Sequence, residues 1–351
     1  MAYSLSSNAC NLGLAFSGFH DKLSVLIDAV AKKMREIGSK SSSVPENLYK
    51  IAADAYGDSL KNAVFHTRPI SQCARRTSDL LMKGESFPVE EQYEAFQELT
   101  LSSLDGLSDQ IFRKCHVEAF VLGNARSDDA RALAKSLEQS LALKQRLTKL
   151  PEISEARLPE GRTLWKLPST DKDDPNHAVL LRIQLGKGIE EASLLAVLCK
   201  VLGSKFFDVL RTQQQLGYIV GMGSAVSLRF SNLIAQVQTE FPPDYVRGRI
   251  DDFFEEHFPW IEKELTEEEF KTCCSGVLSE LKTKPKNLAE EYAMYSREFS
   301  QRTYDFDRKD RIIAHLESGK VTLPALRDYV RERVQRAPRL YVQVCKVLEK
   351  E

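Results

Sequence analysis

Apolar residues recur along most of this chain with one of two periods, and the switches between them divide it into elements. Leu12, Leu14 and Phe16 alternate with Asn11, Gly13, Ala15 and Ser17, which predicts a half-buried strand. After the turn GFHDK (Gly18 to Lys22), Leu23, Leu26, Ile27, Val30, Met34 and Ile37 return at helical spacing up to Gly38, a C-terminal stop. The stretch 39–47, SKSSSVPEN, predicts a loop that starts a new helix near Pro45. Helices are predicted at 71–83, 89–99 and 103–113, followed by a buried strand over Cys115 to Gly123. A further helix is expected over Asp128 to Leu143, with Ser127 as its N-cap.

Residues 144–162 carry two prolines, alternate in charge and sustain no period, so they predict an interdomain linker. Beyond them come strands over Thr163–Leu167 and Ala178–Leu185, then an almost wholly apolar helix over Glu190–Leu202. The next stretch, Phe206 to Val220, reads FFDVLRTQQQLGYIV: a short helix that breaks at Gly217 and runs into a strand. Strands are expected near Gly217–Gly223 and Leu228–Thr239, and Pro242 and Pro243 open a helix to about Phe258. Helices at 266–282, 288–301, 307–317 and 323–335 precede a closing strand, Arg339–Val347.

The two halves echo each other in the order of their elements. Each has a strand entering a turn with an aromatic residue and an aspartate (Phe19 and Asp21; Phe241 and Asp244), then a long helix. Each closes with a threonine-led helix and a buried strand. Residues 163–223 form a strand–helix–strand block ahead of the second aromatic turn, and the first half has no counterpart to it. The predicted fold class is therefore α+β, with two homologous domains, each an antiparallel or mixed sheet packed with helices. The first domain, 1–143, is expected to be N-terminally truncated, the linker is 144–162, and the second domain is 163–351.

Composition narrows the function classes. With 351 residues, 42% hydrophobic and 28% charged, the chain has the make-up of two globular cores. A net charge of -1 gives no bulk field favouring nucleic acid or an anionic membrane. Apolar runs are too short to span a bilayer, and the N-terminus lacks the basic and apolar regions of a signal peptide. The seven cysteines (10, 73, 115, 199, 273, 274 and 345) are odd in number, form no CxxC and sit mostly in apolar segments. Small buried thiols in a reducing compartment account for them, and cytoplasm is the expected location.

The six histidines offer no HExxH or HxxEH, so no helix presents two imidazoles and a glutamate to zinc, and no metal site is expected in this chain. Asp171, Asp173 and Asp174 before His177 lack the glycine and final glutamate of a calcium loop and read as a solvated turn. There is no GxSxG, P-loop or strand–GxGxxG–helix, and GMGSAVS (Gly221 to Ser227) reads as a bulge or hairpin turn. What remains is Arg211 and Tyr218 on the helix-to-strand corner. Phe206, Val209 and Leu210 bury one face of that helix, while Phe207 and Arg211, four apart, share another. An arginine fork can hold a carbonyl or carboxylate, and a tyrosine hydroxyl can donate to an oxyanion. The same two residues also fit an ordinary surface arginine and a half-buried strand tyrosine.

Five segments in order resemble the insulin-degrading enzyme (insulysin)/pitrilysin family of zinc metallopeptidases. They are Arg211-Thr-Gln-Gln-Gln-Leu-Gly-Tyr218-Ile-Val, Phe241-Pro-Pro-Asp-Tyr245, Lys284-Pro-Lys286, Tyr304-Asp-Phe-Asp-Arg308 and Gly18-Phe-His-Asp-Lys22. The resemblance implies the third and fourth of four homologous α+β domains, the C-terminal half of a peptide-enclosing chamber. Zinc is then expected in an N-terminal half carrying HxxEH, fused or separate, with no cofactor in this chain. It further implies that Arg211 and Tyr218 hold the substrate backbone and the tetrahedral intermediate, and that Phe207 lines the substrate pocket. Lys284 and Lys286, in TKPKNLA, match a nucleotide- or polyanion-binding stretch, with Asn287 where another lysine is expected. On this resemblance the chain alone is an inactive part of a peptidase. The expected partners are that N-terminal half and peptide substrates, with self-association as a further candidate and neither nucleic acid nor membrane. The alternative is a non-peptidase binding or scaffold protein of the same fold, which would take extended peptides at its sheet edges.

Overall fold

A computed structural model describes residues 1–8, 11–39, 44–84 and 87–346. Cys10 and the last residue of the predicted closing strand lie outside these described residues. The elements in order are β1 (Ala2–Ser7), β2 (Leu12–Ser17), α1 (Leu23–Glu36), α2 (Glu46–Phe65), α3 (Pro69–Leu81), β3 (Met82–Lys83), α4 (Val89–Gln97), α5 (Leu107–Ile111), β4 (Lys114–Cys115), α6 (Ser127–Ser140), β5 (Gln145–Arg146) and β6 (Ser154–Glu155). They continue with β7 (Arg162–Pro168), β8 (His177–Leu185), α7 (Ile189–Phe207), β9 (Ile219–Val226), β10 (Ser231–Thr239), α8 (Pro243–Lys263), α9 (Glu267–Lys282), α10 (Leu288–Ser300), α11 (Arg308–Glu317), α12 (Leu323–Tyr329) and β11 (Arg339–Cys345). The fold class is α+β, with a mixed sheet packed against helices. The chain forms two compact units: Met1–Val64 with Met82–Ser154, and Phe65–Leu81 with the residues from Glu155 on.

In the first unit β1 and β2 form an antiparallel ribbon, Ala2 opposite Ser17 and Ser7 opposite Leu12. The alternation at 12–17 is a strand as predicted; its partner, AYSLSS, was not, and all six of its residues are exposed. Helices α1 and α6 close on a small core of Ala31, Phe112 and Leu141. Asp28 of α1 also accepts hydrogen bonds from Ser136 and Ser140 of α6 at 2.6 and 3.2 Å. The predicted helix 103–113 breaks at Asp105–Gly106, where Gly106 takes φ of +73°. The strand expected over Cys115–Gly123 is corrected: only Lys114–Cys115 pair, in parallel with Gln145–Arg146, and no residue from 116 to 122 is fully buried. An apolar run by itself does not supply the ladder partner that a strand needs.

The second unit holds a five-stranded sheet in the order β7-β11-β8-β10-β9, antiparallel except for the β7–β11 pair. β8 is apolar on both faces because both are covered. Val179, Leu181, Ile183 and Leu185 join the main core with α7, α8 and α12, while Ala178 and Leu180 pack with Ile70, Cys73 and Leu81 of α3. The apolar helix α7 lies in the middle of the main core, with nine buried residues between Ala192 and Phe206. In its last turn lies Phe206, whose ring centroid is 5.1 Å from Phe253 and 6.4 Å from Phe254 of α8. α8 runs on past Pro259 to Lys263, five residues beyond the predicted end. The stretch 144–162 carries β5, β6 and the buried Leu158, whose amide donates to Gln184 of β8 at 2.8 Å.

Across the sheet, Tyr341 of β11 donates its hydroxyl to Asp251 of α8 at 2.5 Å, with both residues buried. Burial first, and then the neighbouring carboxylate, pushes the Tyr341 hydroxyl pKa up to about 12.

Candidate functional site

The polar corner predicted from the sequence lies wholly in the second unit, where the end of α7 turns towards the edge strand β9. The helix does not simply stop. Its hydrogen-bond ladder widens over Asp208–Gln213 into a π-helical turn, with the Gln214 amide donating to the Val209 carbonyl at 3.0 Å. The Leu216 amide then donates to the Leu210 carbonyl at 2.9 Å. Leu210 and Leu216 are buried and anchor the turn to the main core. Such π turns are short, costly insertions that are frequent at functional sites.

Two backbone features complete the corner. Gln215 takes φ of +52°, a left-handed conformation that costs a non-glycine residue about 1–2 kcal/mol. Gly217 passes so close to β10 that a Cβ there would lie 1.9 Å from the Gln238 carbonyl oxygen. Sequence reading marked Gly217 as a helix breaker; the structure shows that it is needed for this close approach. Two residues later the chain enters β9, Ile219 opposite Gln238.

This path brings Phe207, Arg211 and Tyr218 together. The Arg211 guanidinium carbon is 5.0 Å from the Phe207 ring centroid and 4.8 Å from that of Tyr218. Four-residue helical spacing sets the first contact, and the corner sets the second. Among the described residues the guanidinium has no hydrogen-bond or ion-pair partner, so its donors are held in place by two aromatic rings and left open. Tyr218 is 83% exposed and Phe207 41%, a degree of exposure that aromatic rings in a closed core do not have. Each cation–π contact at such an exposed place is worth about 0.5–1 kcal/mol. The arrangement presents a fixed fork of N–H donors, a phenolic hydroxyl and two apolar ring faces on one small surface.

Polar clasps that the sequence reading missed hold the turn. Gln213 donates to Asp208 at 2.8 Å across the π turn. Arg249 of α8 donates through Nε to the Gln214 side-chain carbonyl at 2.9 Å and through Nη1 to Asp252 at 2.6 Å. Periodicity carries no signal for these pairs, because QQQ reads as an undifferentiated polar helix end.

Lys284 and Lys286 do not join this corner. They are exposed in the break between α9 and α10, where Asn287 caps α10 by accepting the Glu290 amide at 2.9 Å. Glu290 in turn accepts the Lys286 amide at 2.8 Å. A lysine at 287 could not make this cap. The carboxylates near His177 serve their own turn: Asp171 accepts the amides of Asp173 and Asp174, and Asp174 accepts that of Asn176. Among the described residues no group of three or more His, Cys, Asp or Glu side chains could hold a metal ion. Described cysteines 73, 115, 199, 273, 274 and 345 are free thiols. No described helix is long and apolar enough to cross a membrane.

Comparison with known proteins agrees with the order of segments. Residues 1–95 match the model for the middle or third domain of M16 peptidases, and residues 197–296 match that for the C-terminal lobe domain 4 of PQQ synthase PqqF-like proteins. The chain is similar to the C-terminal half of the insulysin/pitrilysin family. It is 27% identical to human insulin-degrading enzyme over 325 residues, covering 91% of this chain and 31% of that protein. To the A-factor-processing enzyme of Saccharomyces cerevisiae it is also 27% identical, covering 89% of this chain and 30% of the other. The crystal structure of pitrilysin superposes with a TM-score of 0.81 at 18% identity, over 100% of this chain and 36% of pitrilysin. The chain thus spans about a third of the length of these family members and resembles their C-terminal half.

Proposed function

We propose that this chain is the non-catalytic, substrate-gripping half of an insulysin-like zinc metalloendopeptidase, working with an N-terminal half that carries HxxEH and zinc. The observation that carries the reading is the Phe207–Arg211–Tyr218 stack, an arginine fork held by two rings and without a hydrogen-bond or ion-pair partner among the described residues. A peptide carbonyl or carboxylate would take the open N–H donors of Arg211. The Tyr218 hydroxyl would donate to the oxygen on which negative charge develops as the amide carbon becomes tetrahedral. Phe207 would supply an apolar wall for a substrate side chain. Held geometry is this half's contribution: donors oriented before the substrate arrives lose no orientational freedom at the reaction. Bond cleavage needs a nucleophile that the other half would bring. The free thiols fit a reducing, cytoplasmic setting.

The test is complementation. Mixing this chain with an HxxEH-bearing half of the same family is expected to restore cleavage of a quenched fluorescent peptide that neither part cleaves alone. No gain on mixing, under conditions where the halves associate by sedimentation, would overturn the proposal.

A second reading has one observation in its favour. β9 is an edge strand that begins immediately after Tyr218, and an edge can accept an extended peptide by strand addition. A binder of this kind would hold a labelled peptide without any partner half and never cleave it.

A further inference from the structure

Arg249 is far from Arg211 in sequence and on a different element, and its polar partners are Gln214 and Asp252. Its hydrogen bond to Gln214 nevertheless reaches the segment that joins Arg211 to Tyr218. The segment between Arg211 and Tyr218 must hold an open π turn, a left-handed residue at Gln215 and a forced approach at Gly217. Its backbone is thus the least self-supporting part of the site. Gln214 lies in the middle of it, and its side chain reaches α8.

The guanidinium of Arg249 is divided between two acceptors. Nη1 is taken by Asp252, one turn along the same helix at 2.6 Å, which fixes the arginine head on α8. Nε is thereby aimed at the Gln214 Oε1, 2.9 Å away. The arginine side chain is 35% exposed and its bond to Gln214 is part-buried, so solvent reaches this bond only in part. Helix α8 is in turn anchored in the core here, with Ile250, Asp251, Phe253 and Phe254 buried directly after Arg249.

We propose that Arg249 is a positioning residue: it clasps Gln214 and holds the turn so that Arg211 stays stacked between Phe207 and Tyr218. The clasp joins the turn to α8 by a side-chain bond where the backbone ladder is irregular. Its loss would let the turn relax, and Arg211 and Tyr218 would separate without any change in the residues that face a substrate. The catalytic consequence rests on the function proposed above; the structural consequence does not.

Two readouts keep these apart. Full-length chain labelled with 3-fluorotyrosine gives a 19F signal for Tyr218, identified by its disappearance in Tyr218→Phe. In Arg211→Ala the Tyr218 signal marks the unstacked state. Arg249→Met and Gln214→Leu, which remove the same bond from opposite ends, are expected to move the Tyr218 signal towards that position. Arg247→Met, which removes a neighbouring α8 arginine outside the clasp, should leave it in place. In the complemented peptidase, Arg249→Met is expected to lower kcat about tenfold with KM changed less than twofold, and Gln214→Glu, which keeps an acceptor, should retain parental kcat. A Tyr218 signal unmoved in both Arg249→Met and Gln214→Leu overturns the proposal whatever the activity. A moved signal with kcat unchanged in Arg249→Met, while Arg211→Ala loses activity, overturns its catalytic part. If Arg211→Ala itself keeps full activity, the functional reading fails, and the 19F shift alone decides the clasp.

Discussion

Replacing Gly217 by alanine puts a methyl group where the Gln238 carbonyl already stands. The added Cβ would lie 1.9 Å from the oxygen and 2.9 Å from its carbon, whereas real Cβ atoms keep at least 3.0 Å. The corner must open by about 1.1 Å to make room, and the neighbour is strand backbone that cannot swing aside as a side chain would. Overpacking of this kind costs about 1–3 kcal/mol. For a unit of this size each kcal/mol lowers Tm by about 2–4 °C. Tyr218 is the next residue, so a displacement of the same order reaches the stack, and about 1 Å of misplacement can cost about a hundredfold in turnover. Thermal melting and complemented peptide cleavage measure the two effects. Gly221→Ala and Gly223→Ala are the controls, since a Cβ at either position of β9 meets nothing within 4 Å. They should melt within about 0.5 kcal/mol of the parent. Gly217→Ala melting with the controls and cleaving at the parental rate would refute the reasoning.

Three further outcomes follow from the packing and the titrating groups. Phe206→Ala empties a fully buried site against Phe253 and Phe254, and chemical denaturation should show a loss of about 3–5 kcal/mol. Tyr341→Phe removes the hydroxyl that serves buried Asp251 and should cost about 1.5–3 kcal/mol in the same assay. Stability should also fall as pH rises above about 9. Burial lifts the Cys73 thiol from 9.0 to about 12, and Tyr341 rises from 10.0 to about 12, so in the interval the native state holds protons that the unfolded chain has released. Denaturation midpoints measured from pH 8 to 11 should therefore decline, and Cys73→Ala should flatten the decline; a rising or level profile would contradict the assignment.

Much of the fold could be read from periodicity because burial is one-sided or complete where the elements are regular. Strand β8 and helices α7, α8, α9, α11 and α12 each carry an apolar pattern that the core uses directly. Errors fell where tertiary partners decide. Cys115–Gly123 has strand-like residues but a ladder partner for only the first, and Ala2–Ser7 has a partner but no buried face. At the corner, helical spacing sufficed to bring Phe207 beside Arg211. Tyr218 could not be placed by spacing, because its position depends on the widened turn, the left-handed Gln215 and the close pass at Gln238. Arg249 was invisible for the same reason: its bond to Gln214 spans 35 residues and has no periodic signature.

The most direct test of the role proposed for this corner is the turnover number of the complemented peptidase with this chain carrying Arg211→Ala or Tyr218→Phe. Each variant should associate with the HxxEH-bearing half as the parent does and yet lower kcat more than tenfold, the scale of losing one donor to a developing oxyanion. Parental kcat in both variants would contradict the assignment of this corner to the reaction.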